Sequence, residues 1–202
     1  MKFPFIKQAK EAVQRRFGYI SSGLISAPER DSRGMLSAYG EIYSLFGIAN
    51  RIATACGEVR WRLYKGSERS ERNQVAEHPI LKLLDYANEF QTGQEIIELT
   101  QLHMDLAGRA YWYLPRNGLG VPAEVWVIPP YLIQPIKSPK DFISEYIAQV
   151  GAEKILFSKD EIIWFTMPDP LNSYGGVGFA QAASIDLDTA LYQGKWNRDF
   201  FY

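Results

Sequence analysis

Gly175-Gly176-Val177-Gly178 opens onto a helical pattern, and a glycine-rich turn ahead of a helix can cradle phosphate with backbone amides. A Walker-type loop ends in Lys followed by Ser or Thr, which meet the phosphates and Mg²⁺. Here Phe179 and Ala180 take those places. A dinucleotide turn needs a parallel strand–turn–helix unit with a later acid, and the strands before these glycines read as antiparallel. The glycines are therefore expected to let the backbone turn sharply into the helix. His78 precedes Pro79, where a helix-capping role fits better than catalysis. His103 lies mid-helix with Asp105 two residues on, which cannot share its face; a metal pair needs a spacing of three or four, and Leu99, four residues back, cannot ligate. Asp186 and Asp188 point to different sides of their helix, and Asp160 and Asp169 read as turn residues. Cys56 falls on an apolar helical stripe and reads as a buried structural thiol. No nucleophile, base and metal set converges, so neither enzymatic activity nor a cofactor is expected.

Cations beside aromatics are the other chemistry on offer. Arg60 and Arg62 alternate with Trp61, while Lys195 and Arg198 share a helix face near Tyr192 and Trp196. Such groups can hold phosphates and stack bases, although the same pattern describes a solvated face beside packed rings. Residues 1–20 carry Lys2, Lys7, Lys10, Arg15 and Arg16 against Glu11 alone, a local balance of +4. Such a basic start could meet nucleic acid, a membrane surface or an acidic partner, and it also reads as a mobile arm kept soluble by its charge. The whole chain is at −1 with a pI near 6.2, which excludes a strongly basic nucleic-acid-binding domain. No apolar run approaches the roughly 20 residues of a membrane span, so no membrane partner is expected. A single cysteine rules out an internal disulfide and suits a reducing cytoplasm.

These residues must be positioned by an α+β chain. Its 202 residues, 47% apolar and 14% aromatic, can bury a sizeable core and argue against general disorder. A short helix at Lys7–Phe17 and a flexible link make residues 1–33 an arm. Residues 34–176 form the α+β body, and 177–202 a long C-terminal helix. From Glu41, the apolar residues Ile42, Leu45, Phe46, Ala49, Ile52, Ala53 and Cys56 recur at helical spacing, closed by Gly57. Val59, Trp61 and Leu63 alternate with Arg60 and Arg62, the pattern of a half-buried strand. Residues 66–73 read as a charged turn. A helix begins near Pro79, and Thr92-Gly-Gln-Glu95 is a capping box for another that extends to about Ala107 and stops at Gly108. The wide spread of Ile96, Leu99, Leu102, His103 and Leu106 around that helix predicts burial on more than one side.

An antiparallel sheet should follow. Its strands are Arg109–Arg116, then Ala123–Ile128 across a turn at Asn117–Gly120, about Glu145–Val150 and Lys154–Phe157 across Gly151-Ala152, and a buried strand at Asp160–Phe165. Pro129, Pro130 and Pro135 should keep their segment away from a sheet centre. The final helix places Phe179, Ala182, Ala183, Asp186, Leu187, Ala190 and Leu191 near one face, continues through Trp196, and reaches Phe200, Phe201 and Tyr202 without a stop signal. Three rings there need another surface to cover them.

The order of these motifs resembles the portal proteins of tailed bacteriophages, in particular the large siphovirus-like family. The resemblance rests on the acidic-hydrophobic strand Asp160–Phe165, the proline loop, the glycine turn and the long helix ending in Phe200-Phe201. It extends upstream through HPILKLLDYANEFQTGQEIIELTQLHMDLAGRAYWYLPRNG (His78 to Gly118) and EVWVIPP (Glu124 to Pro130), covering most of the chain from about Glu41. No single motif is diagnostic; order and spacing carry it. The resemblance implies a virion subunit, assembled in the host bacterial cytoplasm, that forms a ring, usually of twelve, at one capsid vertex. It implies that the ring docks the terminase large subunit, meets capsid and head-tail adaptor proteins, and conducts double-stranded DNA without reading its sequence. Residues 41–166 would then be the wing and the helix from about Gly178 the start of the stem. Candidate DNA contacts are Lys7, Lys10, Arg15, Arg16, Lys195 and Arg198, and candidate subunit contacts are Trp196, Phe200, Phe201 and Tyr202. Family members run nearly twice this length, through a clip, tunnel loop and crown, so a fragment, a prophage-derived remnant or a truncated reading frame is expected. An alternative is a stand-alone interaction or adaptor module whose terminal helix docks a partner; a third is a nucleotide-handling enzyme built on the glycine turn.

Overall fold

The structure, a computed structural model, describes residues 32–66 and 73–201. The expected helix at Lys7–Phe17, the arm residues Lys7, Lys10, Arg15 and Arg16, and Tyr202 lie outside the described residues. Among the described residues two helices come first, α1 (Ser32–Glu41) and α2 (Tyr43–Gly57). Between them Ile42 is extended at φ −110° and buried, so the chain turns without exposing an apolar side chain. Helix α1 was not expected, because Gly34 and Gly40 weaken its helical signal. Helix α2 ends at Gly57 as read, burying Leu45, Ala49 and Ala53; Cys56, expected to be buried, is half-buried instead.

Strand β1 (Leu63–Lys65) pairs antiparallel with β2 (Asn73–Val75) in a small sheet of their own. The half-buried strand expected over Val59–Leu63 is not formed; only Leu63 joins β1, and Val59 and Trp61 are exposed. Helix α3 (Pro79–Asp85) starts on His78, whose Nδ1 accepts the Ile80 N–H at 3.2 Å, the capping role expected. Helix α4 (Gly93–Ala107) opens on the capping box. Thr92 Oγ1 accepts from Glu95 N at 3.3 Å and Glu95 Oε2 accepts from Thr92 N at 2.7 Å. It ends on Gly108, left-handed at φ 70°, whose amide donates to Met104 O. Ile96, Thr100, His103, Asp105 and Leu106 are all buried, so α4 is covered on several sides as its residue spread predicted.

In place of one antiparallel sheet, two three-stranded sheets follow. Strand β3 (Arg109–Tyr113) lies centrally between β4 (Trp126–Ile128) and β8 (Ile162–Thr166), with Tyr111 opposite Ile128 on one side and Trp164 on the other. Strands β5 (Ile133–Ser138), β6 (Phe142–Val150) and β7 (Glu153–Ser158) form the second sheet, with the turn at Gly151 left-handed at φ 64°. Pro135 sits on the edge strand β5, where its missing N–H leaves no ladder bond unmade. The pleat of β3 divides the core. Trp112 packs with Ile96, Val125 and Phe165, and its Nε1 donates to Thr100 Oγ1 at 2.6 Å. Tyr111 turns to the other side, among Ile133, Ile143, Tyr146 and Ile162. Strand β8 is only half-buried, against the expectation of a buried strand, since Ile163 faces solvent. The C-terminal helix is broken in two, α5 (Phe179–Ala182) and α6 (Ser184–Phe201), with Ala183 between them.

Candidate interaction surface: helix α6 and its anchor

The loop from β8 to α5 is built from local side-chain-to-backbone bonds. Asp169 Oδ1 accepts from Leu171 N at 2.8 Å and Asn172 N at 3.2 Å, confirming it as a turn residue. Asn172 Oδ1 accepts from Tyr174 N, and the Tyr174 ring stacks on Phe142 at 4.3 Å. The glycines that follow do not serve a sharp turn. Gly178 sits at φ −77°, a backbone any residue adopts, and neither Gly175 nor Gly176 is left-handed. What they permit is close approach. A Cβ on Gly176 would run into the Gly108 carbonyl and stand 2.8 Å from Thr166 Oγ1. One on Gly178 would run into the Asp105 carbonyl and stand 2.8 Å from Gly108 N. Gly108 in turn has its Cα side filled by the Gly176–Val177 peptide. The three glycines form a seam of main chain on main chain, closed by Met167 N donating to Gly108 O at 2.8 Å and Thr166 Oγ1 donating to Gly175 O at 2.7 Å. Two amides a phosphate would need are engaged internally: Gly175 N donates to Asn172 O and Gly178 N to Gln181 Oε1 at 2.9 Å.

From this seam α5 packs on α4 and leads into α6. Leu187 and Leu191 pack against Met35, Ala38 and Ile42, with Ala180 and Leu106 beneath. Ile185, Tyr192, Trp196 and Phe200 fall on the opposite side by the 3.6-residue period, and they are exposed by 77%, 72%, 63% and 68%. Helix α6 thus carries apolar residues on two opposite faces, and among the described residues only the Leu187–Leu191 side is partly covered. Trp196 and Phe200 stack at 5.2 Å, with Phe201 edge-on to Phe200 at the same distance. Sequence reasoning took Trp196 and Phe200 to continue the Leu187–Leu191 face, whereas they fall opposite it, and it missed Ile185; the i, i+7, i+11, i+15 spacing carries the signal, with Phe201 beside the stripe. Lys195 and Arg198 flank a groove shared with Glu41, Tyr43 and Ser44. Lys195 is exposed, whereas the Arg198 guanidinium is held by Asp199 Oδ1 at 2.9 and 3.0 Å, which lowers its value as a phosphate contact.

The polar groups buried at the end of α4 are structural neighbours of the seam. Burial pushes the His103 imidazole down to about 4, so it is neutral near pH 7. Burial raises the Asp105 carboxyl, opposed by the hydrogen bond from Gln101 Nε2 at 2.9 Å. Arg109 Nη2 donates to Ser32 Oγ at 3.0 Å, tying β3 to the start of α1. Burial drives the Tyr111 phenol up to about 12, with Arg109 opposing and Tyr146 adding. Among the described residues no group of three or more His, Cys, Asp or Glu is placed to hold a metal, and no helix is long and apolar enough to cross a membrane.

The family model for phage portal proteins matches residues 45–202. The chain belongs to the phage portal protein family. The portal match begins inside α2 and takes in both three-stranded sheets, the glycine seam and all of α6; α1 lies ahead of it. The fold is similar to a chain in the neck of an empty GTA particle solved with C6 symmetry, at TM-score 0.79 and 21% identity, covering 94% of this chain and 51% of that one. A chain in the neck of the native GTA particle, solved with C12 symmetry, aligns at TM-score 0.77 and 20% identity over 94% of this chain and 50% of that one. A third, in the virion of the native particle, aligns at 0.76 and 21% over 96% and 50%. This portal chain therefore spans about half the length of the solved chains it matches, and at such identity the likeness concerns the α+β fold. No curated protein matches it significantly.

Proposed function

We propose that this chain is the wing and the beginning of the stem of a portal subunit. It is a structural, non-catalytic component of a phage head that assembles as a ring, usually of twelve in the family, at one capsid vertex. The observation that carries the proposal is the portal family match over residues 45–202, joined to an α6 that is apolar on two opposite faces. A helix apolar on opposite sides is one that lies between two bodies. Helix α1 is the first, and a neighbouring copy, through Trp196, Phe200, Phe201 and Tyr202, is the second. Within this reading residues 1–33 act as a basic arm, 34–176 as the wing and 177–202 as the stem's start. The ring's further partners are the terminase large subunit, the capsid and head-tail adaptor proteins, met in the host bacterial cytoplasm during assembly. Double-stranded DNA passes through it without base readout, touched through phosphates by Lys7, Lys10, Arg15, Arg16, Lys195 and Arg198. The mass of the native particle tests the proposal. A many-subunit mass is expected; a monomer or dimer at high protein concentration would favour the adaptor module instead.

A further inference from the structure

The segment between α2 and β1 has a strand's sequence and no strand's partner. Val59, Trp61 and Leu63 alternate with Arg60 and Arg62, the period-two pattern of a strand with one apolar and one basic face. In the structure, β2 ends at Val75 and the chain bends away at Ala76, so the ladder stops at Leu63. Residues 59–62 lie outside all regular structure, and no backbone hydrogen bond between described residues reaches Arg60 or Trp61. Val59 is 65% exposed and Trp61 56%. Among the described residues no strand pairs with the edge of β1 opposite β2 either, since β1 and β2 form a two-stranded sheet. Three features coincide here: backbone groups of Arg60 and Trp61 with no backbone partner among the described residues, an exposed apolar alternation, and the exposed cations Arg60 and Arg62. Neither arginine has a carboxylate partner among the described residues. Local pattern and tertiary structure disagree in this way where a binding site replaces an internal contact.

We infer that residues 59–65 form an edge for strand addition that takes an extended acidic segment of another polypeptide. The incoming strand would pair with the backbone of residues 59–65 on the open side of β1. Its apolar residues would cover Val59 and Trp61, and its carboxylates would meet Arg60 and Arg62 across the ladder, where opposite charges are favourable, while Lys65 stands on the apolar face. A single-stranded nucleic acid is the rival occupant, since Trp61 and Tyr64 could stack bases beside the arginines. It leaves the backbone ladder and Val59 unanswered, and the chain's slight negative charge works against it. This inference does not depend on ring formation.

The test uses the full chain and three labelled probes: an alternating Glu-Val peptide, its Lys-Val counterpart, and an oligo-dT strand. Binding is read by fluorescence anisotropy and located by amide hydrogen exchange. The acidic peptide should bind saturably, the basic one should not, and amides of residues 59–65 should gain protection only with the acidic peptide. Trp61→Ser and the pair Arg60→Glu with Arg62→Glu should each weaken binding about tenfold or more. Both variants alter exposed side chains, so an unchanged circular dichroism melt accompanies the loss. Equal binding of both peptides, absence of binding, or protection elsewhere overturns the inference. So does tighter, Trp61-dependent binding of oligo-dT.

Discussion

A methyl group on Gly178 would strike the Asp105 carbonyl, and the obstacle is main chain that cannot rotate away. Overpacking of that kind costs about 1–3 kcal/mol, so Gly178→Ala should lower the urea midpoint by a corresponding amount. Gly194 offers the contrast: nothing lies within 4 Å of its absent Cβ in the middle of α6. Gly194→Ala should stabilise the chain by up to about 1 kcal/mol, the helix-interior difference between the two residues. Equal effects at the two sites would show that the seam is loose. His103 supplies a pH signature. Its folded value near 4 lies below the ordinary 6.5, so the unfolded chain takes up the proton first. The stability it confers is whole above about pH 6.5 and is lost as pH falls towards 4. Asp105, raised by burial, acts in the opposite sense and loses its contribution as pH rises through its folded value. Urea titrations between pH 7 and pH 4.5 should fall steadily for the parent chain and more flatly for His103→Leu; parallel curves would assign the slope to other groups.

At the scale of elements, the two faces of α6 should separate stability from association. Leu187→Ala and Leu191→Ala on the α1 side should destabilise the folded chain, by about 2–5 kcal/mol for a fully buried leucine and less for these half-buried ones. Trp196→Ser with Phe200→Ser on the open side should leave the melt almost unmoved and reduce self-association, each ring contributing on the order of 2 kcal/mol when covered. Sedimentation velocity at high protein concentration reads the difference, and unchanged association of the double variant would move the contact to another face. The legibility of these elements followed how local their signals are. The ends of α4 were readable because Thr92, Glu95 and Gly108 act within one turn of the chain. The edge position of β5 was readable because Pro135 cannot complete a ladder. The role of Gly176 and Gly178 was not, because what they touch is Gly108, about seventy residues earlier, and only the fold brings the two together. The strand expected at Val59–Leu63 failed for a related reason: alternation tells which residues share a face, and says nothing of whether a neighbour is there to pair.

For the molecule as a whole, charge is the property that would decide the proposed contact with DNA. The net charge of −1 leaves little general attraction, while the first 20 residues hold a local +4. Each phosphate contact lowers log affinity by about 0.9 per decade of salt. Duplex binding should therefore be weak near physiological salt and should lose much of its salt slope when residues 1–20 are removed. Scrambling the DNA sequence should change nothing. Arg198→Ala should matter less than Lys195→Ala, since Asp199 already occupies the guanidinium. A preference for one sequence that persists at high salt would count against a conduit that lets DNA slide.

The glycine seam fixes more than a contact. Because the start of α5 is seated on the end of α4 by main chain against main chain, the point from which the C-terminal helices depart is indifferent to which side chains drift into its surroundings. A helix mounted in this way behaves as a lever on a hard bearing. Load carried back to the first turn of α5 would pass to β3 through Gly178 and Gly108, main chain to main chain, and the place of that bearing would persist while the surface sequence of α6 diverged.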